Sequence, residues 1–445
     1  MAVARIFVIV GGGQAGAAAA HTLRREGFDG SIVVFGEESN PPYERPPLSK
    51  AFLRGEVEIT DFPVLPVAWY GDHQVELRCG IRVTGMDPAD RVLRLHDGSE
   101  MKYDAVLVAT GGSPRRLPAS VAASGVPVIY LRGIEEARLL RERLRSCRRL
   151  TVVGAGFLGC ELAATARDLG VQVTVVELLS EPLEQALGRD LGAVFAAIHR
   201  DRGVQLLTRE AVQTVEGDLD GVRVTTSAGR VIESDVVVAA LGIAPAVEWL
   251  QDSGVAIDNG VVVDSGGRAA TPGVFAAGDV ARQHHPLLGR HVRVEHFDTA
   301  NKQGAVVARA MLGDTTAALT SPHWFWSDQY EHTLQVAGEI GSSDEVVLRG
   351  SVADRRFTRF HLRGGILVGA AGLDTGREVR AAVRVIERGE TPDARLLGDQ
   401  AAAMSGHGTD RHLTPTVPAH IIEQTDVLHI GTLPAGSGNR GDHVS

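Results

Sequence analysis

Two stretches of this chain repeat one another in kind, and they constrain everything else. The first, ARIFVIVGGGQAGAAAAHTLRREGFDGSIVVFGEE, spans residues 4–38; the second, RLTVVGAGFLGCELAATARDLGVQVTVVE, spans 149–177. Each reads as apolar strand, glycine turn, Ala/Leu-rich helix, second strand, acid. A strand–helix–strand unit returns the chain to the same sheet end, so two of them commit the fold to parallel sheets of the α/β class.

Gly11, Gly13 and Gly16 match GxGxxG, and so do Gly154, Gly156 and Gly159. One bare match is weak, because glycine also occurs wherever a helix packs closely on a strand. Here both matches follow a strand and open a helix, and in both an acid ends the next strand. Glu177 lies 18 residues beyond Gly159 and Glu37 lies 21 beyond Gly16. Both offsets suit a carboxylate that accepts from a ribose 2′-hydroxyl, with the pyrophosphate on the helix N-terminus. The pair of units therefore points to two dinucleotide sites. Glu38 also follows the first unit; Glu37 is preferred as the counterpart of Glu177. No Arg or Lys follows Glu177 in VVELLSEP, so the second site is expected to prefer NADH over NADPH.

The totals exclude other classes. Net charge is −10, which disfavours general nucleic-acid binding. Cys79, Cys147 and Cys160 are the three cysteines, with no CxxC spacing, which suits a reducing, cytoplasmic setting. The apolar N-terminal run stops at glycines and reads as a buried strand, and no stretch has membrane-spanning length.

Between the two units, MKYDAVLVATGGSPRRLP reads as a strand and a crossing, and DVVVAALGIAP reads as a second crossing. Beyond Thr320, HTLQVAGE, EVVLRG, RFTRFHLRGG and ILVGAAGL read as antiparallel strands, followed by a helix at REVRAAVRVIERG. From Met404 the periodicity fades, and 404–445 reads as a flexible tail whose histidines (His407, His412, His420, His429 and His443) are too irregular for a metal site.

One segment is unusual in composition. PPYERPPLSK, Pro41–Lys50, has four prolines in ten residues and ends on a lysine. Prolines are excluded from helix and sheet interiors, so this stretch is a stiff connector that holds the next segment in a defined place. LSKAFLRG then reads as a short helix ending near Gly55.

Together, the two glycine units, ATGGSPRRLP, TPGVFAAGDVA, PPYERPPLSK and WFWSDQY resemble the oxygenase-coupled NADH-dependent ferredoxin reductases, a group of two-dinucleotide flavoproteins; the likeness covers about residues 4–403. The resemblance implies a glutathione-reductase-like architecture with two Rossmann-like domains and a C-terminal α+β domain. It puts FAD on 1–112 and 243–320, NADH on 113–242, and a closing domain on 321–403. It implies that Asp279, read as ending a strand before a helix start, meets the ribityl chain, although an N-cap role is also open. Arg132 would contact FAD, otherwise being a surface arginine, and the Val83 backbone would meet the adenine. Trp326 would lie beside the flavin ring while Trp324 stays in the core. His296 would lie near the flavin or be a satisfied structural histidine.

In the same family Lys50 lies at the reactive edge of the flavin, paired with Glu161, and Phe157 covers the nicotinamide pocket. A helix-surface lysine is the plain alternative. The implied activity is hydride transfer from NADH to FAD, then single electrons to a [2Fe–2S] ferredoxin, expected to be acidic, by a monomer or homodimer. The rival is an NADH oxidase or a disulfide or peroxide reductase of the same superfold, which needs a cysteine where this chain has proline and lysine. A non-enzymatic redox sensor is a further rival. Cys160, at a helix start, reads as structural. The chain departs from the family at Ala246 and Gln185, and Ala246 is expected to loosen the crossing beside the FAD.

Overall fold

The computed structural model describes residues 5–123 and 125–399. The tail expected at 404–445 lies outside them.

Three five-stranded sheets organise these residues. In the first, all parallel, Ile6–Val10 is central, flanked by Ser31–Gly36 and Val75–Cys79 on one side and by Ala105–Val108 and Val274–Ala276 on the other. The second sheet is parallel too. Arg149–Val153 is central between Gln172–Glu177, which leads to Gln205–Thr208, and Val236–Ala239, which leads to Val128–Ile129. Continuous runs such as Phe7, Val8, Ile9 and Val10 are buried because both faces are covered: Phe7 and Ile9 pack with helix residues such as Leu23 and Val307, and Val8 and Val10 with strand residues such as Val83, Leu93 and Val261.

The two units superpose in register. Gly11 N–H donates to Phe35 O and Gly154 N–H to Val176 O, each at 2.8 Å. Each glycine turn then starts a twelve-residue helix, Gln14–Arg25 and Phe157–Asp168. The helix Phe297–Met311 lies on the first of these, where a Cβ on Gly304 would sit 2.4 Å from Ala15 O.

The crossings read from the sequence meet each other. Gly112–Pro114 pairs antiparallel with Ile243–Pro245. Ala246 does not leave this point loose: its N–H donates to Gly111 O at 3.0 Å and its carbonyl accepts from Thr110 Oγ1 at 2.8 Å. Backbone bonds hold the crossing, so the missing side chain costs it little.

The third sheet is antiparallel, ordered Trp324–Gln329, His332–Gly338, Ile366–Leu373, Arg356–Arg363, Glu345–Ser351, with the helix Gly376–Glu387 packed on it. One expectation fails nearby. Asp279 does not precede a helix: the strand Ala281–His285 comes after it and turns at Gly289 into Arg290–Val292. Alternate burial along Ala281–His285 is the period of a strand, and the next helix begins only at Phe297 with His296 as its N-cap.

Candidate functional site

Both glycine turns open into one cleft of about 2930 Å³. The three glycines of each turn have different reasons. Gly11 and Gly154 have φ of +127° and +98°, and a Cβ on them would meet Ala109 O at 2.1 Å and Ala240 O at 2.5 Å. Gly16 and Gly159 lie where a Cβ would strike the carbonyl of the first glycine, at 2.2 and 2.0 Å. These four are required by the protein itself.

Gly13 and Gly156 are not. Their backbones are extended (φ −113° and −72°), and a Cβ on either would have no protein atom within 4 Å. Each is the N-cap of its helix, with no side-chain cap and no acid in the first turn. The free N–H groups and the positive helix end therefore face open space. A pyrophosphate-bearing dinucleotide fits both cradles, because no protein atom fills the space beside Gly13 and Gly156.

The acids after the two turns differ. Glu177 ends its strand, and its carboxylate accepts from Ala155 N–H at 2.6 Å and Leu179 N–H at 2.7 Å. By register its counterpart is Gly36, not Glu37, because Phe35 matches Val176. A Cβ on Gly12 would sit 3.3 Å from Gly36 Cα, so this strand end must stay narrow. Glu37 comes one residue later, with its side chain 71% exposed on the cleft wall and 3.8 Å from Arg82. Glu38 is committed elsewhere: it accepts from Tyr43 OH and from Arg45 Nη2, the latter at 2.8 Å.

Those two partners of Glu38 stand in the proline stretch. Tyr43 OH also accepts from Ile134 N–H at 2.9 Å, and Arg45 Nη1 donates to Arg132 O at 2.5 Å. The stretch thus ties the first sheet to the segment that carries Arg132. It continues as the turn Pro46–Ser49 and the single helical turn Ala51–Arg54, ended by Gly55 at φ +76°.

Lys50 and Glu161 meet, as the resemblance implied. Nζ lies 2.7 Å from Oε2, with side chains only 15% and 10% exposed. Two serines complete the carboxylate: Ser49 Oγ donates to Oε2 at 2.7 Å and Ser327 Oγ to Oε1 at 2.8 Å. Neither was singled out in the sequence, although each adjoins a residue that was, Lys50 and Trp326. Glu161 lines the large cleft, whereas Lys50 lines a smaller cavity of about 400 Å³ behind Pro46 and Trp326.

The remaining candidates line the large cleft. Arg132 Nη2 and Asp279 Oδ2 are 2.9 Å apart. Val83 starts a strand and is buried. His296 stacks on Phe325 at 4.0 Å and 6°, and Phe157 meets Phe325 edge-on at 5.0 Å. Burial depresses the His296 imidazole to about 4, so it is neutral in this apolar stack. Trp326 stacks with Trp324 at 5.3 Å and meets Phe297 edge-on; Trp324 itself packs on the C-terminal core.

No cysteine lines the cleft. Cys160 is buried with its thiol pushed up by burial, and burial also raises Cys147, to about 11, and Cys79. None of the three is an activated thiolate. Among the described residues, no helix is long and apolar enough to cross a membrane, and no group of three or more His, Cys, Asp or Glu could hold a metal ion.

Comparison with known proteins agrees with this geometry. The family described as pyridine nucleotide-disulphide oxidoreductase matches residues 6–304, and the one described as reductase C-terminal matches 324–406. The chain is 41% identical over 403 residues to the anthranilate 1,2-dioxygenase system ferredoxin–NAD(+) reductase component of Burkholderia cepacia, covering 89% of this chain and 98% of that one. It is 38% identical over 398 residues to rhodocoxin reductase of Rhodococcus erythropolis, covering 89% and 92%. The crystal structure of the covalent putidaredoxin reductase–putidaredoxin complex matches with a TM-score of 0.86 at 32% identity, over 90% of this chain and 97% of that chain.

Proposed function

The chain belongs to the pyridine nucleotide-disulphide oxidoreductase family, and on that footing we propose that it is an FAD-dependent NADH–ferredoxin reductase. Two electrons from one NADH pass through FAD and leave singly to two molecules of a small [2Fe–2S] ferredoxin, with one proton released. The ferredoxin in turn supplies an oxygenase. Bound FAD supplies the two-electron uptake and one-electron release that side chains cannot.

The protein's part is to hold, orient and charge the site. Gly11, Gly13 and Gly16 would hold FAD, with Glu37 at the ribose, the Val83 backbone at the adenine, and Arg132, Asp279, His296 and Trp326 further along the cleft. Gly154, Gly156 and Gly159 would hold NADH, with Glu177 at its ribose and Phe157 over the nicotinamide. Glu177 is already fixed by two N–H groups, and it would repel a 2′-phosphate. Lys50, held by Glu161, would act as a fixed cation for the negative charge that grows during the transfer. In this reading 1–112 and 243–320 carry FAD, 113–242 carry NADH, and 321–403 close the site.

One observation carries the reading: two vacant-Cβ cradles share a cleft with Glu161, the partner of Lys50, at its wall and no thiol. A disulfide or peroxide reductase needs that thiol. The three unpaired cysteines suit a cytoplasmic enzyme. The ferredoxin is taken to be acidic, and the basic stretch Arg138–Arg149 reads as a solvated face rather than its docking site. There, Arg138 pairs with Glu135, Arg141 with Glu58 and Arg149 with Asp235. The test is cytochrome c reduction by NADH with and without an added [2Fe–2S] ferredoxin. A rate that rises steeply with ferredoxin is expected; an equal rate without it would overturn the proposal.

A further inference from the structure

A second polar chain runs away from Glu161 into the interior. Ser327 Oγ donates to Glu161 Oε1 at 2.8 Å, and a carboxylate can only accept, so the serine oxygen needs a donor of its own. Gln329 Nε2 supplies it at 3.2 Å. That leaves Gln329 Oε1 as an acceptor, 3.0 Å from His199 Nε2, so the imidazole proton is on Nε2. His199 Nδ1 then accepts from Tyr330 OH at 2.9 Å. Every donor in the series points the same way, toward the carboxylate that holds Lys50.

The chain is buried and bridges separate parts of the fold. Ser327, Gln329 and His199 are each 1% exposed. Ser327, Gln329 and Tyr330 come from the first strand of the C-terminal sheet and its turn, His199 from the helix Glu184–Asp201, and Glu161 from the helix behind the second glycine turn. Tyr330 takes φ +57°, a left-handed conformation that bulky residues rarely adopt, and this turn brings its hydroxyl to His199. Lys50 and the Cys160 thiol are the titratable groups beside Glu161; Asp168, Arg167 and Arg202 surround the Tyr330 end.

We infer that Ser327, Gln329, His199 and Tyr330 form a one-way chain of donors that positions Glu161, and through it Lys50, so that the seating of the C-terminal sheet sets the geometry of the reactive pair. These are positioning residues, since the chain reaches the cleft only through Glu161. The inference rests on the reductase reading for hydride transfer alone.

The test uses the full chain with FAD bound. In 15N-histidine NMR of the oxidised wild type without NADH, the His199 resonances, identified by their loss in His199→Gln, are expected to report one neutral tautomer protonated on Nε2. Ser327→Ala is expected to lose that single tautomer. It should slow flavin bleaching by NADH in a single turnover about tenfold, the scale of one hydrogen bond to a charged group, with the NADH dissociation constant unchanged. Ser327→Thr, which keeps the hydroxyl, should restore both the rate and the single tautomer. If Ser327→Ala does not fold, Gln329→Met is read in its place. A wild-type His199 protonated on Nδ1, or a rate untouched by the substitution, would overturn the inference. Failure of NADH to bleach the wild-type flavin would sink the reductase reading instead, while the His199 tautomer still decides the chain.

Discussion

The first and second glycine turns are copies in backbone, yet the strands beyond them end differently. Both have the same donor pair at the strand end, the same two structural glycines and the same open N-cap. After the second turn the strand ends on Glu177, which two backbone N–H groups hold in place. After the first it ends on Gly36, the exposed Glu37 stands one step later, and Glu38 anchors the proline stretch. A pyrophosphate cradle is thus a backbone property and repeats faithfully. The ribose grip is a side-chain property and was free to diverge. A fixed carboxylate can discriminate between nicotinamide nucleotides, whereas the first site spends its neighbouring acid on holding the chain that carries Lys50.

The most severe challenge to this contrast is to fill each cradle. Gly13→Leu and Gly156→Leu both have room to fold. Gly13→Leu should yield protein without flavin absorbance. Gly156→Leu should keep its flavin while its NADH dissociation constant rises about 100-fold or more, given the ~4 backbone donors lost at each helix end. Retention of flavin by Gly13→Leu would mean that the cradles are not the binding sites.

Lys50→Ala tests the bridge between the two. Flavin should remain bound, while its reduction by NADH in stopped flow slows about 100-fold, the scale of one lost electrostatic group. Next comes the ribose grip. Glu177→Ala should lower the specificity constant for NADH about tenfold, and Glu37→Ala should weaken FAD binding less, because Glu37 is mostly exposed. A wild type that prefers NADPH would contradict the role given to Glu177.

The smallest effect concerns pH. His199, His296 and His361 are depressed to about 4 and His323 to about 3, in each case chiefly by burial, from an ordinary 6.5. The unfolded chain therefore takes up protons first as pH falls. The stability held by these neutral imidazoles is full above 6.5 and is lost as pH drops toward 4. A fall in Tm of roughly 5 °C between pH 7 and pH 5 is expected by calorimetry. All four histidines lie in the C-terminal sheet, just before it or against it. Hydrogen exchange at pH 5 should accordingly rise there before it rises at either glycine turn.

Much of the molecule is legible in its sequence, for local reasons. Strand, turn and helix in each unit arise from residues within a few positions of one another, and a glycine turn leaves few alternatives. The C-terminal strands show in their alternation, and the lack of a cysteine in PPYERPPLSK speaks against thiol chemistry without any geometry. The pairing of Lys50 with Glu161 came from family resemblance; nothing in the spacing of two residues 111 apart implies it. The misreadings were matters of register. Glu37 looked like the counterpart of Glu177 on acid identity, and only the ladder showed Gly36 in that place. Asp279 looked like a helix start because a helix does come later, but a hairpin intervenes.

The parallel sheets, the two cradles and the stiff connector were all set by the sequence alone. Each rests on backbone conformation, which chain neighbours settle. Packing in three dimensions settled the rest: Gly36 at the strand end, Glu38 committed to Tyr43 and Arg45, and Ser49, Ser327 and His199 gathered around Glu161. Ser327 reaches Glu161 across 166 residues of chain. Which buried polar groups satisfy one another depends on how distant segments pack, and no local pattern carries that information.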